Sequence, residues 1–355
     1  MAYHGKINFS SENYAGVHPQ IMEAMAKANT GSAPSYGNDS YTKETIALFE
    51  QHFGDDIDVY FAFNGTGANN FGIGSVTEKF SSIFCTDVAH LLVDESTAPE
   101  TFIGCRMYPV NHADGKIVLS DLKSKIKRFG DVHHPQPKVI SITQPTEYGT
   151  VYTLDELKEI KQVCTDNGML LHVDGARFFN AAAYLNASLK QISADAGVDI
   201  LTLGGTKSGL MFGEAVIFFN TGTPGSHKYN LKRSMQLASK NRFIAAQFDA
   251  LLRDGLWKEI AEYSNKLAIR LKEALSEIPA ITFTQPVETN AVFVTLPAGV
   301  YDKAQQFSSF YEWNEEKSEY RLMISFNTTE EEITTFVEKL RLLIEQASLP
   351  GMIQT

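Results

Sequence analysis

The sequence predicts an α/β fold: a large domain built on a mostly parallel sheet between helices, followed by a smaller C-terminal α+β domain. Three observations predict it. Short apolar runs alternate with amphipathic helical stretches from about Val59 to Phe219, the pattern of a parallel sheet covered on both faces. Near residue 250 the pattern changes to a long helix, several strands and a final helix. At 355 residues the chain also exceeds one ordinary small core.

Val59–Phe63 reads as a strand leading through a glycine-containing turn into a helix from about Ala68. Lys138–Thr143 is a second buried strand, and Leu154–Asp166 a helix with Thr153 as its N-cap. Met169–Val173 is a third strand, with Asp174 at its C-terminal end; Ile200–Leu203 and Ala215–Phe219 flank a glycine-rich segment. A long helical region, about Ser226–Asp254, closes a large domain of residues 1–250. The remainder, 251–355, reads as helix Trp257–Ser276, strands Ile281–Thr284, Ala291–Thr295 and Arg321–Ser325, and helix Thr329–Gln346. Ligands of such sheets bind beyond the carboxyl ends of the strands.

Composition narrows the function classes. Hydrophobic residues make up 43% and charged residues 21%, as in a soluble globular protein, and the net charge of −11 argues against a nucleic-acid surface. The longest apolar stretches, such as Gly168–Val173 and Ala215–Phe219, have strand length, far short of a membrane span. Met1–Asn8 has no apolar signal region, so a cytoplasmic location is expected. Cys85, Cys105 and Cys164 suit neither a disulfide framework nor a zinc site and read as free thiols; no metal is expected.

Three motifs carry chemistry, each with a plainer reading beside it. In Leu171-His172-Val173-Asp174-Gly175-Ala176-Arg177, an acid ends a buried strand; it suits a protonated pyridinium nitrogen, or simply caps the next helix. In Leu203-Gly204-Gly205-Thr206-Lys207-Ser208-Gly209, a lysine in a small turn can bring its amine to a bound aldehyde, or be a solvated turn lysine. In Phe63-Asn64-Gly65-Thr66-Gly67-Ala68-Asn69, glycines and a helix N-terminus suit a phosphate, or make only a tight turn. This segment has neither the lysine ending of a nucleotide P-loop nor the dinucleotide fingerprint. Together the three point to pyridoxal 5′-phosphate (PLP), with Arg177 placed to reach a carboxylate or the ring hydroxyl.

The phrases HVDGAR, FFNAAAYL and GVDILTLGGTKSG resemble the L-threonine aldolase and β-eliminating-lyase group of fold-type I PLP enzymes, with similarity from Ile7 to about Leu343. The resemblance implies a seven-stranded sheet and an N-terminal segment, 1–18, that reaches the active site. It implies that Lys207 carries PLP as a Schiff base, that Asp174 binds the pyridine nitrogen, and that Gly65, Thr66 and Thr206 hold the phosphate. It further implies that His90 stacks on the ring and that Ser11, Arg177 and Arg321 contact the substrate carboxylate. From the residues alone, His90 also reads as a core histidine at a strand edge and Arg321 as a surface strand charge.

Two departures bear on specificity. Glu147, in Thr143-Gln144-Pro145-Thr146-Glu147-Tyr148-Gly149, stands where the family's best-known pattern has a histidine that contacts the substrate's side-chain hydroxyl. Gln236-Leu237-Ala238-Ser239-Lys240-Asn241-Arg242 replaces a glycine-rich stretch with an arginine, leaving Lys240 or Arg242 to supply the charge from a partner subunit. The loop of Tyr36-Gly37 is similar to the family's, and the resemblance implies that it reaches a neighbouring subunit's site. The expected activity is retro-aldol cleavage of L-threonine, L-allo-threonine or a related L-β-hydroxy-α-amino acid, phenylserine included, to glycine and an aldehyde. His90, Glu147 or a water they hold would act as base, within a homodimer or homotetramer. A β-eliminating lyase, an aminotransferase and an inactive cofactor-binding protein are the alternatives.

Overall fold

The computed structural model describes residues 5–219 and 225–348. Its centre is a seven-stranded sheet: β1 (Ile57–Ala62), β2 (Ser81–Thr86), β3 (Arg106–Val110), β4 (Gln136–Thr143), β5 (Leu170–Gly175), β6 (Ile200–Gly204) and β7 (Glu214–Phe219). The spatial order is β1-β7-β6-β5-β4-β2-β3, and every pairing is parallel except those of β7 with β1 and with β6. The parallel strands therefore end on one edge. Asp174, Lys207, Glu147 and His90 lie at or just beyond the ends of β5, β6, β4 and β2, where the topology collects the loops.

Both faces of the sheet are covered. Leu171, Val173, Leu201 and Ile217 pack in one core with Leu157, Ile160 and Val163 of the helix Leu154–Asp166 and with Phe178, Phe179 and Phe248. Ile200, Val216 and Phe218 face the other way, against Ala68 and Phe71 of the helix Gly65–Gly74. This two-sided burial explains why the strands read as unbroken apolar runs. Thr153 caps its helix as expected, in a capping box with Glu156.

A second core gathers Leu267, Leu271 and Leu275 with Val292, Val294, Leu322, Ile324, Phe336 and Leu340 around a four-stranded sheet. The long helix Leu256–Ser276 serves both cores, its first turns joining the large one and its last turns the small one. We propose that the two cores are two domains dividing near residue 250.

Several boundaries moved. The helix expected from Ala68 begins at Gly65, so Gly65 and Thr66 form its first turn. The single helix expected over Ser226–Asp254 is two, His227–Arg233 and Arg242–Leu252, separated by a segment in which Met235 has φ +63°. His90 is not at a strand edge: it opens the short helix His90–Val93, two residues after an exposed turn. β2, β3 and the small-domain strand Tyr311–Asn314 had no expectation; each is short or carries no clean alternation.

Candidate active site

The loops at the carboxyl edge enclose a cleft of about 710 Å³, lined among others by Ser11, Gly65, His90, Glu147, Asp174, Arg177, Lys207 and Arg321. Eight of the sequence-derived site residues thus meet on one surface although they are spread over most of the chain. Thr66 and Thr206 lie beside it rather than on it.

The base of the cleft comes from the ends of β5 and β6. Asp174 is buried, and its two oxygens accept from the Ala176 amide (3.0 Å) and the Asn69 side-chain amide (2.8 Å). Lys207 sits in a single 3₁₀ turn, Thr206–Ser208. The two loops approach closely because Gly204 has no side chain: a Cβ there would lie 2.3 Å from the Ala176 carbonyl oxygen. Burial and the nearby Arg177 cation hold the Lys207 amine below its ordinary pKa, favouring the unprotonated, nucleophilic form.

One wall is cationic. Arg177 directs Nε and Nη2 in a fork onto Glu12, at 2.7 and 2.9 Å, and Asn290 donates to the same carboxylate at 2.7 Å. Burial would raise the Glu12 pKa, but Arg177, aided by Lys207, outweighs it and holds the carboxyl at about 2. Arg321 donates to the Ser10 carbonyl at 3.3 Å and lies over the rings of Trp313 (4.7 Å) and Tyr311 (5.3 Å). Burial, then Arg177, lowers its pKa to about 10, and its Nε has no hydrogen-bond partner. Two guanidiniums so placed suit an anion between them. The N-terminal segment reaches the site through Ser10, Ser11 and Glu12; Ser11 caps its own turn, accepting from the Asn13 amide at 3.2 Å.

Another part of the lining is acidic and holds His90. Its Nδ1 lies 3.2 Å from Glu95, whose same oxygen accepts from Asn69 at 3.0 Å, so a polar chain runs His90–Glu95–Asn69–Asp174. The bond to Glu95 raises the His90 pKa against the lowering effect of burial. Glu147 accepts from the His90 amide (2.9 Å) and the Thr143 hydroxyl (2.6 Å), and burial pushes its pKa up.

The phosphate cradle differs from expectation in two respects. Thr206 gives its only hydroxyl hydrogen to Glu214, at 2.8 Å, so in this structure it has none for a phosphate. Gln236, in the segment that replaces the expected arginine-containing stretch, folds over the cradle within its own chain. Its Oε1 accepts from the Phe63 amide at 3.0 Å, and a Cβ on Gly67 would meet its side chain at 2.3 Å. Gly65, by contrast, opens into space at the helix N-terminus. Arg242 donates to the carbonyls of Thr30 and Gly31; neither it nor Lys240 lines this cleft. Tyr36 is half exposed at φ +60° and has Lys232 over its ring.

These groups fit PLP by their chemistry: a half-buried amine, a carboxylate beside it, and an open helix N-terminus whose amides have no helical acceptor. Glu12, Asn69, Glu95 and Glu214 were not singled out in the sequence. Asn69 lies inside a quoted motif and Glu12 follows Ser11, and only their contacts across 105 and 165 residues reveal them. Among the described residues no helix is long and apolar enough to cross a membrane.

Known proteins resemble this chain over most of its length. Residues 8–298 match the beta-eliminating lyase family model. The low specificity L-threonine aldolase of Pseudomonas aeruginosa is 39% identical over 339 residues, 95% of this chain and 97% of that one. The solved structure of Leishmania major threonine aldolase superposes with a TM-score of 0.89 at 29% identity, over 95% of this chain and 99% of that chain. A cysteine desulfurase from Thermococcus onnurineus shares the fold, with a TM-score of 0.70 at 17% identity over 96% of this chain and 95% of that one.

Proposed function

Because the chain belongs to the beta-eliminating lyase family and is a PLP-dependent lyase of fold type I, we propose that it cleaves L-threonine, L-allo-threonine or a related L-β-hydroxy-α-amino acid to glycine and an aldehyde. The observation that supports this reading is that one cleft is lined by two guanidiniums, Arg177 and Arg321, by two proton-accepting candidates, His90 and Glu147, and by Lys207 and Asp174. The names of the relatives support the same reaction.

Lys207 would hold the cofactor covalently and Asp174 its ring nitrogen, with Gly65 and Thr66 at the phosphate; bound PLP supplies an electron sink for the pair released when Cα–Cβ breaks. Arg177 and Arg321 bind the amino acid's carboxylate, and Glu12 fixes the angle at which Arg177 meets it. That grip orients the Cα substituents and turns the β-hydroxyl toward the acidic part of the lining. There His90, its pKa raised by Glu95, accepts the hydroxyl proton directly or through a water, and Glu147 holds the His90 backbone in place. Transfer of a proton to Cα completes glycine. Phenylserine is included in the substrate class because Tyr148, Trp313 and Tyr311 line the cleft.

A cytoplasmic homodimer or homotetramer completes the proposal, with Lys240 or Arg242 and Tyr36 reaching a neighbouring subunit. No other cofactor or metal is assigned. The test is the absorbance of purified protein with PLP, with borohydride fixation at Lys207 and assay of glycine and aldehyde from threonine and phenylserine. Release of a keto acid instead would move the reading to transamination, and ammonia with a keto acid to β-elimination. A folded protein showing no lysine-linked band would overturn it.

A further inference from the structure

Glu214 is the first residue of β7, which is otherwise apolar, and it pairs with Gly204 of β6 on one side and Ala62 of β1 on the other. It is only 7% exposed. Both of its oxygens are taken by the turn that carries Lys207: one accepts from the Gly205 amide at 2.7 Å, the other from the Thr206 hydroxyl at 2.8 Å. The Thr206 oxygen in turn accepts from the Gly213 amide at 3.1 Å, which closes a ring between the lysine turn and the start of β7. A buried carboxylate is costly, and a neutral hydrogen-bonding residue would suffice to cap a turn. Its placement therefore needs a reason beyond packing.

Charges of this chain act on Lys207 in both directions. Arg177 disfavours its proton, whereas Glu12, Asp174 and Glu214 favour it. Glu12 is already engaged by the Arg177 fork, and Asp174 by two donors. Asp174 and Glu214 are both held by neutral donors, but the donors of Glu214 belong to the turn that carries the amine. We infer that Glu214 is a positioning residue for Lys207: its carboxylate closes the turn from which the amine projects and presents a buried negative charge to that amine. The inference rests on Lys207 being the cofactor lysine. Burial, with Asp174 adding to it and Lys207 opposing it, pushes the Glu214 carboxyl up to about 7, so this charge changes near neutral pH.

The experiment uses PLP-loaded wild-type protein with Glu214→Gln, Glu214→Asp and Glu214→Ala. The visible band of the lysine-linked cofactor is titrated against pH, and hydrogen exchange of residues 203–209 is followed in the unloaded proteins. Removing the charge in Glu214→Gln should lower the titration midpoint by roughly half a pH unit or more, about threefold in proton affinity. Glu214→Asp, which keeps the charge on a shorter arm, should hold the midpoint near wild type while exchange in the turn rises. Glu214→Ala should show both changes, and if it fails to fold the other two variants decide. Midpoints unchanged in Glu214→Gln beside a normal wild-type band would overturn the inference alone. No band in the wild type would overturn the Lys207 assignment and this inference with it, while turn exchange would still report whether Glu214 closes the loop.

Discussion

Glu12 and Glu214 are the same residue type, both buried and both favouring the charged form of Lys207, yet their acidities are displaced in opposite directions. Glu12 meets a guanidinium through two parallel hydrogen bonds, and its pKa falls to about 2. Glu214 meets only an amide and a hydroxyl, and its pKa rises to about 7. Desolvation pushes both upward; what differs is whether a full positive charge repays it. Glu147, held by the His90 amide and the Thr143 hydroxyl, follows Glu214 in direction. The site therefore holds one locked ion pair, Glu12 with Arg177, and two acids, Glu214 and Glu147, whose neutral form burial favours. The first suits a substrate carboxylate that must be gripped, the second protons that must move.

The strongest way to break this comparison is Glu12→Ala. It leaves the Arg177 guanidinium buried without its partner, and a stability loss of roughly 3–5 kcal/mol is expected in urea unfolding at pH 7. A loss below about 1 kcal/mol would mean that the pair contributes little.

The two acids should also imprint opposite pH dependences on stability. Glu12 has its folded pKa below the ordinary 4.5, so its contribution, up to roughly 3 kcal/mol, is present above pH 4.5 and is lost as pH falls through about 2. Glu214 has its folded pKa raised, so its contribution is present below pH 4.5 and is lost as pH rises through about 7. Unfolding free energies between pH 4 and 8 should therefore fall less steeply with rising pH in Glu214→Gln than in the wild type. Parallel curves would remove Glu214 from the comparison.

Within the proton-moving region, His90→Asn should lower kcat about 100-fold with KM little changed, measured by aldehyde release. Glu147→Gln should cost only about tenfold, because the amide oxygen still accepts from the His90 backbone. The reverse order would make Glu147 the base. Beside the ion pair, Arg321→Lys should raise KM for the amino acid roughly tenfold with a smaller change in kcat, since an ammonium cannot reproduce the planar fork or its stacking on Trp313. Smallest of all, Thr153→Ala, far from the cleft, should cost about 1 kcal/mol through the lost cap and leave kcat unaltered.

Much of the fold was legible because its signals are local. The buried strands of the sheet centre, β4 to β7, are runs of apolar and β-branched residues, and Thr153 with Glu156 announces a helix by itself. The outer strands β2 and β3 were not legible. Ser81-Ser82 leaves one only a four-residue apolar or β-branched run and Pro109 interrupts the other, so neither gives a clear strand signal, and pairing within the sheet decides them. The candidate site was legible where a motif holds its residues together, as around Asp174 and Lys207. It was not legible where the functional pair is distant in sequence, as with Glu12 and Arg177, or where a neighbour redirects a hydroxyl, as Glu214 does Thr206.

By itself, then, the amino-acid order determined the alternation of strands and helices, the division into a larger and a smaller core, and a lysine and an aspartate at the ends of adjacent strands. Those follow from burial patterns and turn chemistry that act over a few residues. Only the tertiary structure decided which acids are charged, which donors are already engaged and which wall of the cleft each residue joins. Proton affinity and hydrogen-bond availability depend on what lies within a few ångströms in space, and in this chain those neighbours come from 165 residues away as readily as from eight.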